Sequence, residues 1–243
     1  MSLSSFCLTK TTLIDYPDKV AAAIFTHGCN LRCPYCHNPE LVIPPFPEES
    51  ISQSEFISFL KKRRSVLGGI CISGGEPLLH DDLKELIDDI HSFGLSVKID
   101  TNGTRPEHLE KLPCDYIAMD IKTSLEKYSL LGCKDPGAVK ASAEYILSSG
   151  IRHEFRTTLT PGIVNEEDIQ NIGELISGTE KYILTSFRPG KTLDPAFSNI
   201  QPYSKQESEK FVQILRDRNI PAFLRGVDSA FSQFTIKTVK RDP

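Results

Sequence analysis

Apolar residues fall along this chain in two alternating rhythms. Short continuous runs at residues 20–25, 69–72, 95–99, 116–119, 153–160 and 182–187 read as buried strands. Between them, apolar positions return every three or four residues. Leu83, Leu86, Ile87, Ile90 and Phe93 form the clearest such stripe, starting from Asp81 or Asp82 and closed by Gly94. Phe56, Ile57 and Leu60 mark another, capped by Ser52 or Ser54 and reaching about residue 64. Further helical segments are expected near 107–111, 124–131, 137–148, 166–177 and 204–218. Residues 1–19 show little periodicity, and the proline-rich stretch 39–47 reads as an irregular surface loop. Residues 221–225 and 234–239 are candidates for a further strand and an edge segment.

Strand followed by helix, repeated, predicts right-handed crossovers and a parallel sheet. The expected fold class is α/β: a partial parallel (β/α)6 barrel of the TIM type, in a single domain over residues 1–243. A full eight-stranded barrel is the alternative, with 221–225 as an added strand. No internal repeat, low-complexity tract or linker divides the chain. The polar motifs do not scatter along this pattern. A cysteine-rich loop, Gly74-Gly-Glu-Pro77, Asp100-Thr-Asn-Gly103 and Asp120-Ile-Lys122 each follow directly on a predicted strand. In a parallel sheet those ends share one edge, where α/β proteins build their sites.

Composition narrows the class of function. The chain has 243 residues, 39% hydrophobic and 25% charged, with a net charge of −4. That gives no electrostatic case for nucleic acid or an anionic membrane surface. No apolar run has the length of a membrane span, and the N-terminus lacks a signal peptide's apolar region. The expected location is the cytoplasm. Seven cysteines, odd in number and unevenly spaced, do not read as a disulfide framework, so a reducing compartment is consistent.

Three of those cysteines, Cys29, Cys33 and Cys36, lie within eight residues. Three thiolates from one loop can hold an iron–sulfur cluster with one iron left open, or half of a zinc site with His37 as a fourth ligand. Gly74 and Gly75 make either a tight turn or an exposed backbone, and Glu76 brings a carboxylate to a strand end suited to an ammonium group. Asp100 and Asp120 are helix caps taken singly; together they could hold a cation or the polar end of a ligand. Lys122 and Arg156 read as surface charges, or, for Arg156 in an apolar strand, as an inward cation needing a carboxylate partner.

Cys29-x3-Cys33-x2-Cys36 with Tyr35 before the last cysteine, together with Ser73-Gly-Gly-Glu-Pro77, resembles the radical S-adenosylmethionine (SAM) superfamily. Further features are similar to its glycyl-radical-enzyme activases, above all those of anaerobic ribonucleoside-triphosphate reductase. They are Ile14-Asp-Tyr-Pro17, His27-Gly-Cys29, Cys36-His-Asn38, Asp100-Thr-Asn-Gly103, Asp120-Ile-Lys122, Arg156, Pro161-Gly162 and Phe187-Arg-Pro-Gly-Lys191. The resemblance implies the radical SAM fold and one [4Fe-4S] cluster on Cys29, Cys33 and Cys36, its open iron chelating SAM. Gly74, Gly75 and Glu76 would contact the amino group of SAM, with Tyr35 beside it. Asn102, Lys122 and Arg156 would lie along its ribose and carboxylate. A monovalent cation would sit at Asp100, Thr101, Asp120 and the backbone of Ala118.

The implied reaction is reductive cleavage of SAM, followed by hydrogen abstraction from a glycine of a partner enzyme. Reduced flavodoxin or ferredoxin would be the electron donor. Residues 39–50 carry no cysteine where several activases insert a ferredoxin-like segment, so a single cluster is expected. Arg188 stands where some activases have histidine. Cys71 and Cys114 read as packing residues. Two other readings stand beside this one: a radical enzyme acting on a small molecule of the deazapurine type, and a non-enzymatic iron–sulfur or zinc module.

Overall fold

The computed structural model describes residues 3–226, and the edge segment expected at 234–239 lies outside them. The chain begins with strand β1 (Ser5–Thr12), which runs antiparallel to β2 (Ala21–Thr26). After the cysteine loop come a one-turn helix α1 (Pro39–Val42), a two-residue strand β3 (Ile51–Ser52) and helix α2 (Gln53–Arg63). The alternation then settles: β4 (Gly69–Gly74), α3 (Leu83–Ser92), β5 (Ser96–Thr101), α4 (Pro106–Leu109) and β6 (Tyr116–Asp120). A 3-10 stretch over Leu125–Leu131 precedes α5 (Pro136–Ser148) and β7 (Arg152–Leu159). The described chain ends with α6 (Glu166–Leu175), β8 (Tyr182–Ser186), α7 (Lys205–Arg216) and β9 (Ala222–Arg225).

Among the described residues one sheet holds all nine strands, in the order β3-β1-β2-β4-β5-β6-β7-β8-β9. From β2 to β9 every pairing is parallel, while β1 meets both neighbours antiparallel. The order is linear and ends at β3 and β9, so the barrel is partial, as the alternation predicts. Ala222–Arg225, within the expected 221–225, do form a strand, yet among the described residues it extends the sheet without closing it. Two local expectations fail. Residues 1–19 contain β1, whose weak pattern reflects an outer position, covered by the two-residue β3 only at Ser5 and Phe6, and the polar run Thr9-Lys-Thr11. Within 39–47 the chain makes α1, because Pro39 at its first turn needs no hydrogen-bond partner and Leu41 and Val42 bury.

The caps explain where the longer helices start. Ser52 accepts from the Glu55 amide while the Glu55 carboxylate takes the Ser52 amide, and Ser204 with Glu207 repeats the arrangement for α7. The stripe on α3 buries Leu83, Leu86, Ile87 and Ile90. These pack with the outward positions of the strands, Ile70, Ile72, Val97, Ile99, Ile117 and Met119, in one core under the helices.

Strand alternation turns the other set of positions inward. Ala23 lies beside Cys71, Cys71 beside Lys98, Asp100 beside Ala118, and Asp120 beside Arg156. The inside of the half-barrel is therefore small or charged. Its lower end, where the strands begin, holds Tyr16 packed with Ala21 and Tyr116. Among the described residues, no helix is long and apolar enough to cross a membrane.

Candidate functional site

The cysteine loop leaves β2 through Gly28, whose φ of 83° is a left-handed turn. It is then clamped by backbone bonds to four segments of the chain. The Gly28 amide donates to Leu41 (2.7 Å), and the Gly28 carbonyl accepts from the Glu76 amide (2.8 Å). The Arg32 amide donates to Leu131 (2.8 Å), while the Leu193 and Asp194 amides donate to Cys36 (3.0 Å) and Pro34 (2.9 Å). Cys29, Cys33 and Cys36 are all free thiols, and Cys33 is buried. Burial pushes the Cys33 thiol up to about 12, against the pull of the Lys122 ammonium; Cys29 is raised for the same first reason. Each of these two also feels the charge of its fellow cysteines, so the three thiols share one electrostatic neighbourhood.

The turn after β4 reaches this loop because it has no side chains. A Cβ on Gly75 would lie 1.9 Å from the Gly28 carbonyl oxygen, and Gly74 has φ 120°. Glu76 follows with 1% of its surface exposed. Its Oε1 accepts from the Thr101 hydroxyl (2.7 Å) and the Leu78 amide (3.1 Å), and its Oε2 from the Asn102 amide (2.7 Å). Glu76 thus ties the end of β4 to the end of β5.

Asn102 reaches on toward the cysteines. Its Nδ2 donates to Asn30 Oδ1 (3.1 Å) and lies 3.8 Å from Cys29 Sγ. Thr104 donates to Asn102 Oδ1 (2.6 Å) and accepts from Asn30 (2.7 Å), closing a polar ring that motif reading missed. The Asn30–Thr104 bond spans 74 residues and leaves no local signal. The Tyr35 hydroxyl donates to the Lys122 carbonyl at 3.4 Å.

Asp100 and Asp120 are not helix caps. Arg156 Nε donates to Asp120 Oδ1 (2.6 Å) and its Nη1 to Asp100 Oδ2 (3.3 Å). Lys122 Nζ takes Asp120 Oδ2 (3.0 Å), and Lys98 Nζ takes Asp100 Oδ1. The inward arginine thus has its carboxylate partners. The ladder Lys98–Asp100–Arg156–Asp120–Lys122 carries three cations against two carboxylates. Arg156 and the lysines hold both aspartates below the usual carboxylate range, overcoming the opposing effect of burial. Lys98 was not singled out by its motif context. The signal was present: a lysine two residues before Asp100 in a strand shares its face.

The thiol set fits a cubane better than a single ion. Among the described residues no three His, Cys, Asp or Glu side chains come together as ligands of one metal ion. His37, the candidate fourth zinc ligand, points its Nδ1 at the Lys191 carbonyl (3.1 Å) and stacks on Phe187. Each thiolate of a cubane binds a different iron, which suits three thiols in one neighbourhood but not on one point. The monovalent-cation set fits less well. Asp100 already has two protein cations, and the Thr101 oxygen both donates to Glu76 and accepts from the Gly103 amide (3.1 Å). Cys71 and Cys114 are buried, as packing residues would be.

Burial drives the Glu76 carboxyl up to about 7 in spite of its three hydrogen bonds. An acid raised in the folded state binds its proton more tightly folded than unfolded. Its ionisation therefore removes stability as pH rises from about 4.5 to about 7, and no further above that. Glu76→Gln in the metal-free protein is expected to gain Tm relative to wild type across that window. Thermal denaturation of both at about pH 5 and about pH 8 checks this, and a difference that does not grow with pH contradicts it.

Comparison with known proteins agrees with this geometry. The sequence pattern of the radical SAM superfamily matches residues 23–176. A Methanocaldococcus jannaschii protein provisionally assigned as a glycyl-radical enzyme activating enzyme is 31% identical over 233 residues, covering 90% of this chain and 94% of its own. The pyruvate formate-lyase-activating enzyme of Staphylococcus epidermidis is 30% identical over 173 residues, 65% of this chain and 69% of its own. The 7-carboxy-7-deazaguanine synthase of Aquifex aeolicus is 42% identical over a shorter span of 85 residues, 35% of this chain and 37% of its own. Among solved structures, Streptococcus suis SuiB bound to S-adenosylmethionine superposes with a TM-score of 0.64 at 16% identity. The match covers 83% of this chain and 49% of that one, and establishes likeness of fold.

The chain belongs to the radical SAM superfamily, a family of enzymes whose members use an iron–sulfur cluster and SAM. Within it, the chain falls in the glycyl-radical-enzyme activase family.

Proposed function

We propose that this protein, acting as one domain, installs a glycyl radical on a partner enzyme, and that the partner is anaerobic ribonucleoside-triphosphate reductase. The observation that carries the reading is the meeting at one sheet edge of a three-thiol loop, a buried glutamate and a ladder with one surplus positive charge. Cys29, Cys33 and Cys36 would hold a [4Fe-4S] cluster. When bound and reduced, the cluster would supply the electron for reductive cleavage of SAM, and the partner's glycine would give up the hydrogen atom. The remaining work is done by the chain. Glu76, with the backbone of Gly74 and Gly75, offers negative charge to the ammonium of SAM. Arg156 and Lys122, the cations of the ladder that keep part of their side chains in solvent, offer positive charge to its carboxylate, and Asn102 and Tyr35 bracket the space between. No proton need move, which agrees with a site lacking a base paired to a nucleophile.

Reduced flavodoxin or ferredoxin would be the electron source, and the cytoplasm the setting. Ile14-Asp-Tyr-Pro17 and Phe187-Arg-Pro-Gly-Lys191 support the reductase as partner. The long match to the M. jannaschii relative favours an activase over an enzyme that acts on a deazapurine, whose relative matches only 35% of the chain. The test is anaerobic. The reconstituted, reduced protein with SAM is incubated with ribonucleotide reductase and, separately, pyruvate formate-lyase. We expect 5′-deoxyadenosine with both and a glycyl radical signal by electron paramagnetic resonance with the reductase. Cleavage without a radical on either partner would favour small-molecule chemistry. No cleavage would sink the enzymatic reading altogether.

A further inference from the structure

We propose that Lys98 is a positioning residue whose ammonium is the built-in counter-ion of Asp100, so that the site works without an added monovalent cation. The proposal rests on SAM being the ligand at this sheet edge. Three observations carry it.

Lys98 is 1% exposed, in the middle of β5 and inside the half-barrel, where an unpaired ammonium would be very costly. Its Nζ is spent on Asp100 Oδ1 and lies 3.7 Å from Cys71 Sγ. Its stem runs between its register neighbours Cys71 on β4 and Tyr116 on β6 toward Asp100, whose own neighbour on β6 is the small Ala118. A smaller residue at 98 would leave a hole directly under a carboxylate.

Arg156 does not make Lys98 redundant. The arginine is closest to Asp120 at 2.6 Å and holds Asp100 at 3.3 Å, so one oxygen of Asp100 depends on Lys98 alone among the charged side chains. The exposures divide the labour further. Arg156 and Lys122 keep 19% and 22% of their side-chain surface, facing the strand ends, while Lys98 keeps 1%. A ligand carboxylate can meet the first two. Lys98 acts on it only by keeping Asp100 neutralised, so that Arg156 stays aimed and the surplus positive charge stays at the mouth. An alkali ion at Asp100 would have to displace an ammonium already bonded there.

The test is equilibrium binding of SAM to the anaerobically reconstituted protein in choline chloride, sodium chloride and potassium chloride at equal ionic strength. We expect wild-type affinity to be the same in all three. Lys98→Ala should bind about tenfold more weakly in choline and recover in potassium or sodium, which can enter the vacated space. In the metal-free proteins, potassium over choline should raise the Tm of Lys98→Ala and leave wild type unmoved. Wild-type binding that needs an alkali ion would overturn the proposal while leaving SAM as the ligand. Lys98→Ala binding like wild type in choline would overturn it as well. Absence of SAM binding in every salt would end both the proposal and the reading beneath it. The wild-type arm needs no variant, so a Lys98→Ala protein that fails to fold does not shelter the idea.

Discussion

Cys33→Ala will reduce 5′-deoxyadenosine formation from SAM to background, and the reconstituted variant will lose most of its bound iron and sulfide. The proposed site has three protein ligands and no spare: His37 is turned to the Lys191 carbonyl, and the other cysteines lie outside the loop. Removing one ligand leaves two thiolates, too few to hold a cubane against solvent. Cys33 is the sharpest choice of the three because it is the buried one. Its thiol, held up at about 12 by burial, gives up its proton only when a strong positive charge takes its place. Cys33→Ser keeps the size and should fail nearly as badly, since an alcohol is a poor thiolate substitute. Iron and sulfide analysis, the visible absorption of the cluster and chromatography of 5′-deoxyadenosine read the result. A Cys33→Ala protein that cleaves SAM at the wild-type rate would refute the cluster assignment.

Arg156→Leu is expected to be the most destabilising single change at the strand ends. It strips the shared cation from Asp100 and Asp120, which then face each other with only Lys98 and Lys122 in attendance. Removing one partner of a buried ion pair costs about 3 kcal/mol here, the low end of the usual range, because Asp120 keeps 31% of its side chain in solvent. For a chain of this size that is a Tm loss of roughly 6–12 °C. Arg156→Lys should recover only part of it, since one ammonium cannot bridge both carboxylates as the guanidinium fork does. Adding Asp120→Asn to Arg156→Leu should restore little of the loss, because Lys122 still pairs with Asp120 and would itself be left without its carboxylate. Thermal denaturation of the metal-free variants checks the series. A loss of less than about 2 °C for Arg156→Leu would mean that Lys98, Lys122 and solvent suffice for the two carboxylates without the arginine.

The parallel core was legible because its strands are buried and apolar while its helices carry one apolar stripe. Leu83, Leu86, Ile87 and Ile90 announce α3 without help from anything distant. β1 is not legible, since an outer strand that β3 covers only at Ser5 and Phe6, with Lys10 and Thr11 in solvent, has little reason to alternate. At the site the same division holds. Residues joined by chemistry within a few positions of each other, the cysteines and the glycines before Glu76, declared themselves. Glu76 was read as a contact for a ligand's ammonium; the three donors from Leu78, Thr101 and Asn102 also make it the brace between two strand ends. Those bonds depend on how closely β4 approaches β5. Lys98 shares the face of Asp100, but a lysine in a strand ordinarily lies in solvent, and only the curvature of the sheet makes this face an interior.

Tyr16 lies packed beneath the strands with Tyr116, and the Tyr116 hydroxyl donates to Glu154 at 3.2 Å above it. With that end stopped by aromatic rings, the interior is a vessel with a base, and traffic belongs to the cysteine rim or to the unclosed side. On the proposed site, a reactive fragment made at the rim would meet packed aromatic rings at the base. That leaves the rim or the side toward a docked partner as its way out, and for a short-lived species that difference decides between useful chemistry and self-damage.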